Sequence, residues 1–119
     1  PGGFPALLDR HLVLVYTGVA RLARNLLQDV LRRWHARLPL VADNIAALQA
    51  TSAGMREAVV AGDIAVMGRH LSAYWEQKKV MAPGAEPPRI RQAMDAVRDL
   101  CWGMSLAGAG GGGFLVLLT

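Results

Sequence analysis

From residue 11 to 17 the chain runs His-Leu-Val-Leu-Val-Tyr-Thr, an aliphatic and β-branched stretch closed by Gly18, and predicts a strand that starts near Arg10 and turns at its end. The period then changes. Val19, Leu22, Leu26, Leu27, Val30, Leu31 and Trp34 recur at helical spacing, with arginines, Gln28 and Asp29 opposite, so an amphipathic helix is expected up to Leu38-Pro39. A second helix begins after Pro39 with Val41, Ile45, Leu48, Ser52, Met55 and Val59 on one seam, and ends at Ala61 before Gly62. Asp63 is placed to cap a third, which presents Ile64, Met67, Leu71, Tyr74 or Trp75, and Lys78. Gly68 reads as a weak point of that helix, costing about 1 kcal/mol relative to Ala.

Residues 82–88 carry three prolines and a glycine and read as a loop; a fourth helix follows, with Ile90, Met94 and Val97 inward and Arg89, Arg91 and Arg98 outward. Beyond Leu100 helical periodicity stops. Residues 101–106, a glycine-rich turn and residues 114–118 predict strand, turn, strand. The order is α+β: an antiparallel sheet with four helices packed on it.

With 119 residues and 53% hydrophobic side chains the chain can bury one core, and with only 6% aromatics that core is mostly aliphatic. Residues 1–119 are therefore taken as one domain. The opening Pro-Gly-Gly-Phe-Pro has neither an initiator Met nor a basic, apolar leader, so the chain is expected to begin inside a longer protein. The net charge of +4 is scattered among acidic residues, with no run, aromatic pattern or zinc-finger spacing that would mark a nucleic-acid partner. Cys101 is the sole cysteine and reads as a small core residue, consistent with a reducing, cytoplasmic setting. Residues 100–119 are uncharged over nearly the length of a membrane span, which keeps a membrane-anchored tail as a third reading; six glycines there disfavour a spanning helix, and no membrane partner is expected.

The stretch with chemical content is Ser105-Leu-Ala-Gly-Ala-Gly-Gly-Gly-Gly-Phe114. A backbone without side chains can approach an anion closely and adopt positive φ. Gly108, Gly110 and Gly113 satisfy the dinucleotide spacing, but a strand rather than a helix follows; no Gly-Lys-Ser/Thr follows either, so a P-loop is excluded as well. Taken alone, such a run is more often a flexible turn than a ligand cradle, and a rival reading makes it the linker of a helical module that binds a partner. Arg21 is either a phosphate or substrate contact or a solvated helix residue, and Thr17 and Gly18 either contact substrate or simply close a strand. Lys78 and Lys79 are candidates for phosphate ligands, but Glu76, two residues before Lys78 and three before Lys79, favours a solvated helix face. Trp34 and Trp75 fall on apolar seams and read as core, and Trp102 is open. His11, His35 and His70 share no ligand spacing, so no metal residue is assigned.

Residues 105–114 resemble the third conserved motif of the GHMP kinases, the group of galactokinase, homoserine kinase, mevalonate kinase and phosphomevalonate kinase. Leu106-Ala107 displaces Ser105 from the place where many members carry a hydroxyl before the glycines. Tyr16-Thr17-Gly18, with Arg21 at a helix opening, resembles the start of the family's C-terminal domain; Ala23 stands where mevalonate and heptose kinases tend to carry Ser or Thr. Within the family, the blocks at 16–32, 72–84 and 105–115 are similar to the L-fucose kinases.

The resemblance implies a truncated GHMP C-terminal domain, related to the ferredoxin-like fold, in a kinase that uses ATP and Mg²⁺ to phosphorylate the anomeric hydroxyl of L-fucose. Heptose- or galactose-type kinases stand as the alternative. It implies that Gly108, Ala109, Gly110, Gly111, Gly112 and Gly113 lie near the ATP phosphates, with Thr17, Gly18 and Arg21 on the substrate side. The family's ATP-gripping Pro-x-x-x-Gly-Leu-x-Ser-Ser loop and catalytic carboxylate have no counterpart here. The N-terminal half of the same kinase is thus the implied partner, and these residues alone are expected to be inactive.

Overall fold

The computed structural model describes residues 2–19, 24–108 and 110–119, apart from the side chains of Arg24 and Asn25. Arg21 and Ala109 lie outside the described residues. The order is α1 (Phe4–His11), β1 (Leu12–Tyr16), α2 (Arg24–His35), α3 (Pro39–Ala61), α4 (Ile64–Met81), a 3₁₀ turn at Pro83–Ala85, α5 (Pro88–Val97), a second 3₁₀ turn at Arg98–Leu100, β2 (Gly103–Leu106) and β3 (Phe114–Leu118). The three strands form one antiparallel sheet in the order β1-β3-β2, so the last strand is central. The expected α+β architecture is present, with five helices instead of four.

The additional helix is α1. Pro5 falls in its first turn, where a missing N–H costs nothing. Phe4, Leu7 and Leu8, spaced i, i+3 and i+4, pack against Ala58, Ile64, Met67 and Leu118. The first strand consequently starts at Leu12, two residues beyond Arg10. Among the described apolar side chains of α2, Leu26 is buried and Val30 partly so; Leu27, Leu31 and Trp34 are more than half exposed, so Trp34 is not a core residue. α3, α4, α5 and β3 form where the periodicity places them, with Asp63 Oδ1 accepting the Val66 N–H at 3.0 Å as the N-cap of α4. Residues 100–119, the stretch that allowed a membrane reading, form the end of a 3₁₀ turn and two paired strands; among the described residues no helix is long and apolar enough to cross a membrane.

α4 is the element on which the others rest. Its Gly68 lies against Trp102 and Gly103: a Cβ at position 68 would meet the carbonyl carbon of Trp102 at 2.6 Å and the Gly103 nitrogen at 2.9 Å, and a Cβ at 103 would strike the Gly68 carbonyl. Gly68 is therefore a close-approach residue, not a weak point. One turn on, the Met104 N–H donates to Ser72 Oγ at 3.1 Å, which occupies part of the outer edge of β2. A further turn places Trp75, 2% exposed, among Ile90, Met94, Met104, Leu106, Leu115 and Leu117.

The indole N–H of Trp75 donates to Glu86 Oε2 at 2.6 Å. The same carboxylate, its side chain 6% exposed, also holds Lys79 at 3.2 Å and Arg91 at 3.0 Å. Glu86 thereby ties α4 to α5 and fixes the connection at 82–88 between them. Burial by itself pushes its carboxyl upward, but the hydrogen bonds from Trp75, Arg91 and Lys79 prevail and hold it below the usual carboxylate range.

Two stability predictions follow from these contacts. Gly68→Ala should destabilise by about 1–3 kcal/mol in urea unfolding, because the added methyl meets backbone that cannot yield. Gly54→Ala should stay within about 1 kcal/mol of the parent, because only the ring tip of His70 stands in the way; a stabilised Gly68→Ala protein would refute the close approach. Glu86→Gln should cost about 1–3 kcal/mol at neutral pH. Since the folded carboxyl lies below its unfolded value near 4.3, this difference should be constant above that pH and shrink as the pH falls through the folded value. Unfolding curves of both proteins from pH 7 to pH 3 check it.

Candidate functional site at the glycine loop

The strands β2 and β3 are joined by the glycine run, and its geometry follows from having almost no side chains. Gly108, Gly110, Gly111 and Gly113 have φ of 72°, 95°, 82° and 87°, values that L side chains rarely adopt. The run is not a slack linker. The Gly111 N–H donates to the Ala85 carbonyl at 2.7 Å, and the Gly113 N–H to the Val19 carbonyl, also at 2.7 Å. A Cβ at Gly110 would stand 2.8 Å from that of Ala85, and one at Gly112 3.0 Å from the Val19 carbonyl carbon. Gly110, Gly111 and Gly112 are buried in this clamp, while Gly108 is exposed with open space beside its Cα.

Both jaws of the clamp are positioned from elsewhere. Ala85 belongs to the connection that Glu86 fixes, and it is fully buried. On the other side, Thr17 closes β1: its N–H and its hydroxyl both donate to the Gly113 carbonyl, at 2.9 and 2.8 Å, and its Oγ1 accepts the Val19 N–H at 3.3 Å. Gly18, with φ 74°, makes the turn between them. Thr17 and Val19 thus meet Gly113 directly, Thr17 across a separation of 96 residues, while Gly18 supplies the turn between them. Ser105 does not join them; it is buried in β2 with its hydroxyl on the Leu106 carbonyl at 3.1 Å.

Lys78 is the residue that reasoning from sequence misassigned. It is half-buried on α4, and its ammonium donates to the Gly108 carbonyl, with the Leu106 carbonyl at 3.5 Å. The rings of Tyr74 and Trp75 each have their centroid 5.6 Å from Nζ. Burial lowers its pKa. Only Lys79 behaves as the expected paired cation, reaching Glu76 at 2.9 Å. The spacing of Lys78 from Trp75, i and i+3, was the available signal, since it puts the lysine stem on the buried face. Cys101 packs beside the core, its thiol pushed up by burial.

Comparison with known proteins places this geometry in a family. The profile described as GHMP kinases C terminal matches residues 55–119, which include α4, the connection held by Glu86, both strands and the glycine run. Over 115 residues the chain is 32% identical to the L-fucokinase/L-fucose-1-P guanylyltransferase of Bacteroides fragilis, covering 97% of this chain and 12% of that protein. It is 29% identical over 112 residues to the bifunctional fucokinase/GDP-fucose pyrophosphorylase of Arabidopsis thaliana, covering 94% of this chain and 11% of that one. The chain therefore spans about an eighth or less of the length of these curated relatives. Among solved structures it is similar to L. major mevalonate kinase in complex with R-mevalonate, with a TM-score of 0.76 at 22% identity over 92% of this chain and 33% of that one, a likeness of fold. With the family profile covering more than half of its residues, the chain belongs to the GHMP kinases, in their C-terminal part.

Proposed function

We propose that these 119 residues are one partial domain of a sugar kinase that transfers the terminal phosphoryl group of ATP to the anomeric hydroxyl of L-fucose, and that the glycine run forms one wall of its phosphate site. The observation that carries the reading is the clamp on Gly110, Gly111, Gly112 and Gly113, in a chain 32% identical to a fucokinase over nearly its whole length. The surroundings suit a phosphate: backbone at positive φ, an exposed Gly108 with open space, and an ammonium at its carbonyl. Among the described residues no cluster of three or more His, Cys, Asp or Glu could hold a metal ion. In this reading Mg²⁺ arrives on the phosphates, where it neutralises their charge.

Phosphoryl transfer asks a protein mainly for positioning and for stabilisation of charge. The clamp supplies the first. With Gly110 to Gly112 held between Ala85 and Val19, the wall is in place before any ligand arrives, so binding spends little free energy on ordering it. In this reading Thr17, whose hydroxyl meets the far end of the run, and Gly18 serve the substrate side, and the resemblance alone assigns Arg21 to it. The ATP-gripping loop and the catalytic carboxylate come from the N-terminal half of the same kinase, and the reaction takes place in the cytoplasm.

Two measurements test this reading. The isolated 119 residues should show no ATP-dependent phosphorylation of L-fucose above background, whereas the whole kinase should phosphorylate L-fucose in preference to galactose or a heptose. In hydrogen exchange on the whole kinase, Mg·ATP should protect residues 108–113. A loop whose exchange is indifferent to the nucleotide would refute the phosphate-wall assignment.

A further inference from the structure

The glycine run is electrically neutral, and its Gly111 and Gly113 N–H groups are already engaged by Ala85 and Val19. A polyphosphate seated there needs a compensating positive charge. The cations of several neighbouring elements are spoken for: Arg33 pairs with Asp29, Lys79 with Glu76 and Glu86, Arg91 with Glu86, and Arg98 with Asp95. Lys78 is different. Among the described residues no carboxylate lies within ion-pair distance of it, and none of the residues outside the description is acidic.

Its surroundings hold it without neutralising it. Two carbonyl oxygens and the faces of Tyr74 and Trp75 attract the ammonium but carry no net charge. The stem is partly buried, so water compensates less than it would at a surface lysine; the lowered pKa has the same origin. The site is nevertheless accessible. Lys78 and Gly108 together border an open groove of about 430 Å³ between α2 and α4, walled by Leu26, Val30 and Met81.

From this geometry we infer that Lys78 is the cation of the phosphate site, its ammonium exchanging the Gly108 carbonyl for a phosphate oxygen of the bound nucleotide. The inference rests on the phosphate-wall reading of residues 108–113. Three rotatable N–H donors on a flexible stem let lysine make that exchange as a point charge, without bidentate geometry. In the apo protein the same contact restrains Gly108, so Lys78 holds the exposed end of the run while the clamp holds the rest.

The test uses the whole kinase with Lys78→Met and Lys78→Arg, and calorimetric titration with Mg·ATP and with adenosine. Lys78→Met should weaken Mg·ATP binding at least tenfold and leave adenosine binding within twofold; Lys78→Arg should recover most of the loss. The slope of log Kd for Mg·ATP against log salt should also be shallower in Lys78→Met. A residue that only braces the loop would leave the salt slope unmoved, or weaken ATP and adenosine together, and either result overturns the inference. Exchange protection of residues 108–113 in the parent kinase separates the two readings. Protection by Mg·ATP together with unchanged affinity in Lys78→Met removes the role of Lys78 alone, whereas absence of protection removes the phosphate wall with it.

Discussion

The contact between Gly68 and Gly103 sets where everything else can be. A helix normally stands off a sheet because side chains separate them; here neither backbone carries a Cβ, and α4 comes down onto the start of β2. From that point the helix period does the rest. Ser72 meets the Met104 N–H, Trp75 reaches the core and Lys78 arrives at Gly108, each about one turn further along the same face. A shift of α4 away from the sheet would withdraw all three.

The second determinant is a buried carboxylate. Glu86 would be costly in the core if it were alone, but an indole N–H and two cations converge on it. Because those partners come from α4 and α5, their convergence fixes the connection between the helices, and with it the Ala85 carbonyl that receives Gly111. The glycine run is thus held by a chain of contacts that begins in the helical layer and ends on a loop between strands.

Much of the fold was legible in the sequence. Periodicity, Pro39, Asp63 and the proline-rich loop at 82–88 placed α3, α4 and α5 within a residue or so, because local signals mark helix ends and those helices bury one clear face. α1 was not, since a proline near the start of a short segment reads as a breaker until its place in the first turn is known. The burial of α2 was misread: of its five apolar positions Leu26 and Val30 meet the core, while Leu27, Leu31 and Trp34 stand more than half exposed. At the site, the glycine run stood out by composition, while Lys78 was set aside as a phosphate ligand on account of Glu76, which in the fold pairs with Lys79 instead.

By itself the sequence determined what is local: the helices that caps and period define, the strands on either side of a glycine run, and through its motif blocks the kinase family. Tertiary structure alone decided which glycines are points of contact, which lysine faces the loop, and that Thr17 meets Gly113 while Ala85 meets Gly110 and Gly111. The physical reason is range. Caps and periodicity act over three or four residues, whereas a missing Cβ or a buried charge acquires its meaning only from atoms that folding brings beside it from tens of residues away.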